Sequence, residues 1–426
     1  MTSLTQTQPF GVALRELRMA RGISLTSLAE KVNYSKSHLS RVEKGTKRAT
    51  EYLVQRCDEV LEAGGALIEL GRRSPRTRQP PTAASKAPIP SQLPHVVTDF
   101  VGRENVVEQL DTLLLPSDNT DNSAPVVLID GPVAAGKTTT AVHWANRVRH
   151  AFPDGVLFAD LHGFTLTRDP AHPGQLLRRF LAALGEDPDH LTDDLHTLGA
   201  LFRTRLTGRR LLILLDNAAD AEQIRPLLPA AAGCAALVTS RNRMPGLIAR
   251  DGVRRVTLGP MTPYESINLL TQLLSSPLPA DTMRRITELA CRLPLPIRVA
   301  AARWETHNTW EALAGHDAMP LLTLLSAGSD NATALRALLN GSYRTLTPQA
   351  AQVFRLLGVG MHGPFTTQEA SLLLGQDIPA TRRSLDELTN LHLISGGTPY
   401  YKFDAILRAF AIECVKQPPP PLNPSR

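Results

Sequence analysis

Residues 131–139, Gly-Pro-Val-Ala-Ala-Gly-Lys-Thr-Thr, constrain the fold of this chain more than any other stretch, because they fit G-x-x-x-x-G-K-[ST] directly after an apolar run. In that pattern the glycines let backbone N–H groups close around a phosphate, the lysine meets β- and γ-phosphate charge, and the hydroxyl ligates Mg²⁺. Val126 to Asp130 reads as a short buried strand, and Thr138 to Arg149 as the helix whose N-terminus faces the phosphates. An α/β P-loop NTPase with a parallel sheet is therefore predicted. Gly131, Gly136, Lys137, Thr138 and Thr139 are the candidate contacts for ATP or ADP.

Further apolar runs at 155–159, 210–215, 234–239 and 253–258 alternate with helical stretches, the pattern of a parallel sheet covered on both faces. Asp216 closes the second of them, 79 residues after Lys137. A carboxylate there would hold Mg²⁺ through water. Lys137 and Asp216 are thus the candidate catalytic residues, and Thr138 and Asp216 the candidate metal ligands.

A chain of 426 residues is too long for one core, and its size predicts about two to four domains. There is no run of about eighteen apolar residues, and Met-Thr-Ser-Leu-Thr-Gln at the N-terminus lacks the features of a signal peptide. A cytoplasmic chain with no membrane partner is expected. Cys57, Cys234, Cys291 and Cys414 form no C-x-x-C pair and read as packing residues. Charge is unevenly spread: residues 1–80 hold 14 lysines and arginines against 8 acids, which accounts for the whole excess of +6. That asymmetry points to a polyanion-binding head on a neutral body.

In the head, Leu14 and Leu17 share one face of a first helix, and Leu25, Leu28, Ala29 and Val32 mark a second helix capped by Ser24. Ser35 to Glu43 reads as a third, with Leu39 and Val42 inward and Gly45 as its stop. Lys36, Ser37, Ser40 and Arg41 remain outside, a set able to reach base edges and phosphates in a major groove. Through Leu14-Arg-Glu-Leu-Arg18, Gly22 to Ala29 and Tyr34 to Gly45, this stretch resembles the XRE (lambda-repressor-like) helix-turn-helix family. The resemblance implies double-stranded DNA as partner, with Ser35 to Arg41 as recognition surface. Lys36, Ser37 and Ser40 would read bases; Arg41, Lys44, Lys47 and Arg48 would lie nearer phosphate. His38 reads as a bystander. Residues 71–95, rich in proline and arginine, read as an extended linker.

The body resembles the NB-ARC type of STAND P-loop ATPase. Phe100-Val-Gly-Arg103-Glu is similar to the entry motif whose backbone lies against adenine, which implicates Val101 and Arg103. Phe152 to Phe164 resembles a segment of the bacterial members, Leu215-Asp-Asn-Ala218 the Walker B region, and Thr239-Ser-Arg241 a sensor that turns Arg241 toward the γ-phosphate. Arg292-Leu-Pro294-Leu corresponds to the motif whose proline packs on adenine, and Ser342 to Leu346 with 350–410 looks like a winged-helix subdomain. The family's M-H-D motif falls on Lys402-Phe403-Asp404, which makes Asp404 a candidate nucleotide contact while Phe403 replaces the histidine. Asn217 stands where an active ATPase often has a second acid to orient water, so slow or absent hydrolysis is expected; Asn217 also reads as a helix cap. The family's usual sensor repeats are not seen before Arg426, which leaves a separate sensor protein as a candidate partner.

The expected organisation is multidomain: an all-α helix-turn-helix head over 8–70, the linker, a P-loop domain over 96–258, a helical subdomain over 259–335, a winged-helix subdomain over 336–415 and a proline-rich tail over 416–426. The resemblances imply a DNA-binding regulator that forms homo-oligomers when ATP-bound and is a closed monomer with ADP. The alternatives are an active ATPase, or a signalling scaffold whose head is a targeting or protein-interaction module.

Overall fold

The computed structural model describes residues 9–32, 34, 36–45, 49–73, 89–115, 123–307, 321–325 and 335–416. The chain divides into two compact units, Met1–Ser85 and Lys86–Arg426.

Among its described residues the first unit holds five short helices, Phe10–Ala20, Leu25–Val32, Lys36–Glu43, Glu51–Val60 and Ala66–Arg73. Ser24 Oγ accepts the Ser27 N–H at 3.1 Å, which is the expected cap, and Gly45 ends the third helix at φ 72°. Leu14, Leu28, Leu39 and Leu53 are completely buried in one core. At about 1.5–3 kcal/mol per buried side chain, loss of any one would remove a large share of a small domain's ~5–15 kcal/mol. Gly11 lets the first helix approach the third so closely that a Cβ would lie 2.2 Å from the Val42 carbonyl oxygen. Beside that crossing the Arg18 guanidinium donates twice to the Glu43 carboxylate, at 2.6 and 3.0 Å.

The second unit is built on five parallel strands: β1 (Val126–Asp130), β2 (Val156–Asp160), β3 (Leu212–Ala218), β4 (Ala235–Ser240) and β5 (Arg254–Thr257), in the order β2-β3-β4-β1-β5. All five answer to apolar runs in the sequence. Side chains alternate between two cores, as a sheet buried on both faces requires. Val127, Ile129, Leu212, Leu214, Ala235 and Leu237 face one, while Leu128, Ile213, Leu215, Ala236 and Val238 face the other. Cys234 lies in the second core and Cys414 in the first, in keeping with a packing role. Because the strands are parallel, the C-terminal ends of β1, β3 and β4 sit together and their loops share one rim.

Helices Pro263–Leu273, Ala280–Leu289 and Pro294–His307 follow the sheet. A C-terminal helical region then comprises helices Leu335–Tyr343, Pro348–Gly360, Thr367–Leu374, Ile378–Asn390 and Ala405–Lys416, with a hairpin of β6 (Ser395–Gly397) and β7 (Tyr400–Lys402). Of the expected linker over 71–95, residues 74–88 lie outside the described residues. The last head helix runs to Arg73, and Ser91 already bridges Val156 on the edge of β2. No helix among the described residues is long and apolar enough to cross a membrane.

Candidate functional site

The loop between β1 and the helix Lys137–Val148 has the conformation its glycines allow. Gly131 (φ 155°) passes so close to β5 that a Cβ would sit 2.3 Å from the Leu258 carbonyl oxygen, and Gly136 takes φ 89° at the helix N-cap. Lys137 is buried and its Nζ folds back, donating to the carbonyls of Gly131 and Pro132 at 2.8 and 2.7 Å. Burial, reinforced by the charge of Arg241, lowers its ammonium to about 7. A lysine held so is a cation short of anions, and phosphate would relieve it.

Asp216 ends up beside Thr138. The Thr138 hydroxyl donates to Asp216 Oδ1 at 2.8 Å, and Thr239, at the end of β4, donates to the same oxygen at 2.5 Å. β3 bulges here, with a register shift between Leu215 and Ala218 and Asn217 at φ 58°. Burial raises the Asp216 carboxyl against those two hydrogen bonds, and the charge of Asp160 pushes the same way. Asp160 closes β2 in register with Asp216. Its side chain is half exposed beside His162, whose Nδ1 lies 3.1 Å from Oδ2. Sequence reading missed Asp160, although an acid closing an apolar run next to the Asp216 run was the available signal. Asn217 is no helix cap: its amide donates to Thr165 Oγ1 at 3.2 Å, and the following helix is capped by Asp220.

These groups line a cavity of about 850 Å³ with Gly136, Thr139, Arg241 and Pro294, a volume in the usual range for a ligand site. Arg241 is lowered to about 10 by burial. Its guanidinium lies 5.3 Å from the Phe164 ring centroid, donates to the Leu338 carbonyl, and reaches Ser342 Oγ at 3.2 Å. Both oxygens belong to the helix Leu335–Tyr343, so Arg241 joins the cavity to the C-terminal region.

The side chains of three further expected contacts are held by the surrounding packing. Val101 packs against the first core. Arg103 is a buried clamp behind the phosphate loop, donating to the carbonyls of Ala135 and Gly259 at 3.3 and 2.8 Å. Asp404 caps the last helix, its Oδ1 accepting the Leu407 N–H at 2.8 Å. Phe403 packs against Phe354 and Phe365, which explains why an aromatic ring stands there.

On the head, Lys36, Arg41 and Lys44 are exposed and Ser40 is half-buried. Ser35, Lys47, Arg48 and the side chain of Ser37 lie outside the described residues. His38 packs edge-on against Tyr34, with centroids 4.9 Å apart.

Comparison with known proteins agrees with both units. A helix-turn-helix domain family matches residues 9–71. The regulatory proteins AfsR of Streptomyces coelicolor and Streptomyces griseus are similar over nearly the whole chain, at 36% identity over 434 residues and 35% over 432. Each alignment covers 98% of this chain and 42% of the relative, so the chain spans about two fifths of their length. The structure of a Walker-type ATPase from Pyrococcus abyssi matches with a TM-score of 0.53 at 14% identity, covering 75% of this chain and 97% of that one. That likeness shows a shared fold.

Proposed function

The chain is homologous to the AfsR regulatory proteins, and on that premise we propose that it is a DNA-binding transcriptional regulator whose assembly is set by the nucleotide in its P-loop cavity. One observation carries the reading: Arg241 lines the cavity and is bound to the helix that leads into the C-terminal region. ATP or ADP would bind with its phosphates at the N-terminus of the helix Lys137–Val148. Lys137 would leave its own carbonyls for phosphate oxygens and regain its charge. Thr138 and Asp216 suit a hard cation, a hydroxyl and a buried carboxylate already 2.8 Å apart. Mg²⁺ held there would neutralise charge between the β- and γ-phosphates.

A γ-phosphate would compete with the Leu338 carbonyl and Ser342 Oγ for Nη1 of Arg241. With ATP it turns to phosphate and frees the helix Leu335–Tyr343; with ADP it stays and the winged-helix subdomain stays closed. Opening exposes surface for a homo-oligomer in the cytoplasm. Several heads then act together on double-stranded DNA, where effective concentration raises the affinity of a weak single head. Ser35 to Arg41 present the recognition surface, in which Lys36, Ser37 and Ser40 read bases while Arg41, Lys44, Lys47 and Arg48 lie on phosphate. A separate sensor protein is a natural partner for such a switch.

The test is DNA binding by the wild type and Lys137→Ala with ATP, ADP or neither. ATP raises wild-type affinity and stoichiometry, and Lys137→Ala loses the response, with nucleotide affinity down about 10- to 100-fold. Equal binding under all conditions overturns the reading. A turning-over ATPase is the second reading, favoured by Asp160 beside Asp216, since a half-exposed carboxylate there could orient water. Turnover of several ATP per second would select it.

A further inference from the structure

The carboxylate that ends β1, immediately before Gly131, is completely buried and is met from the far end of the chain. His392 Nε2 lies 2.8 Å from Asp130 Oδ2. A carboxylate can only accept, so His392 carries its proton on Nε2 and donates. Thr257 of β5 donates to Oδ1 at 2.7 Å, and Arg243 Nε stands 3.9 Å from Oδ2.

His392 is placed by the way its helix stops. After Ile378–Asn390 the chain turns through a left-handed residue, His392 itself at φ 53°, with the Leu393 N–H on the Leu388 carbonyl and the His392 N–H on that of Thr389. This six-to-one and five-to-two pattern fixes where the imidazole points. The same helix end is tied again where the Arg243 N–H donates to the Asn390 carbonyl at 3.0 Å.

We propose that the His392–Asp130 pair is the latch that holds the C-terminal region closed on the phosphate-binding loop. The physical path is short. Asp130 is bonded to Gly131, whose carbonyl accepts the Lys137 ammonium at 2.8 Å, so the imidazole sits one residue from a lysine ligand. When Lys137 leaves that carbonyl for phosphate, Gly131 loses an anchor and the foot of the loop is free to move against Asp130. The latch sits where β1 enters the loop, whereas the Arg241 joint lines the cavity. The proposal rests on the nucleotide reading above for its trigger, but the contact itself stands without it.

A protease that releases the C-terminal region from the full chain reads the latch. His392→Ala and Asp130→Asn each speed release about tenfold or more, while the double variant goes no further than the faster single one. His392→Gln, which keeps an amide donor, recovers most of the protection. In the wild type ADP slows release relative to ATP, and in His392→Ala that difference falls below about twofold. Circular dichroism identifies any variant that fails to fold, in which case His392→Gln and the wild type decide. Release from His392→Ala at the wild-type rate, or single effects that multiply in the double variant, overturns the latch. If the wild type binds neither ATP nor ADP, the nucleotide reading falls, and release from the nucleotide-free variants still judges the latch.

Discussion

Two aspartates stand at one rim of the sheet, Asp130 as the last residue of β1 and Asp216 two residues from the end of β3, separated only by β4, and they have opposite electrostatics. Asp130 is fully buried and Asp216 nearly so. Burial alone raises a carboxyl. At Asp130, hydrogen bonds from His392 and Thr257 outweigh burial and hold the carboxyl below the usual carboxylate range. At Asp216, Thr239 and Thr138 both donate to one oxygen, no cation is hydrogen-bonded to it among the described residues, and the carboxyl is raised. A buried acid whose partners are complete is a structural joint. One that lacks a cation is a place for something to bind.

The largest effect that could break this comparison is on stability. Asp130→Ala leaves the His392 and Thr257 donors unmet and takes a buried counter-charge away from Arg243. It lowers unfolding free energy by about 3–5 kcal/mol, read from urea titrations. Asp216→Ala, without nucleotide, stays within about 1 kcal/mol of wild type, because it removes a charge that burial already disfavours. Equal losses would show that Asp216 is a second joint. The same Asp216 substitution abolishes the Mg²⁺-dependent part of ATP affinity, whereas a structural substitution weakens ATP and ADP alike.

An intermediate effect lies in acid. Burial lowers the His392 imidazole below its ordinary 6.5, despite the opposing hydrogen bond to Asp130. Its contribution is therefore complete above 6.5 and is lost as pH falls from there through the lowered value. Asp130, also lowered, adds its own loss nearer the carboxylate range. Arg243 and Arg255 are the other charges facing the pair, and Lys137 is already protonated below about 7. Asp216, raised, works the other way and gains stability as pH falls. Urea midpoints from pH 7 to pH 5 should fall for wild type and flatten in His392→Ala; equal slopes would remove His392 from the acid response.

Which of these residues could be read in the sequence follows from the range of the interaction. Lys137, Thr138 and the five strands were legible because a loop pattern and apolar runs are local. Asp216 was legible because it closes such a run. Arg103 was legible as a position, but its carbonyl acceptors on Ala135 and Gly259 were not, because backbone packing chooses them. Asn217 read as a cap because nothing local announces the bulge that turns its amide to Thr165. His392 gave no signal at all. It lies between Leu391 and Leu393 at a helix end, and its partner is 262 residues away.

The smallest effect tests whether Asp216 owes its raised carboxyl to burial or also to its neighbour. Asp160 and Asp216 are paired in register, which puts their Cα atoms about 5 Å apart. Half exposure of the Asp160 side chain screens the repulsion. Asp160→Asn should therefore raise nucleotide-free stability by less than about 1 kcal/mol and shift the Asp216 titration, followed by carboxyl ¹³C NMR, slightly toward acid. Because the amide still accepts the His162 N–H that Asp160 Oδ1 now holds at 2.9 Å, the loop after β2 keeps its turn. If Asp160 also orients water, the variant loses hydrolysis while ATP affinity holds. A change in stability alone leaves burial as the main cause at Asp216 and makes Asp160 a spectator, whereas an unmoved titration would deny the two carboxylates any electrostatic contact.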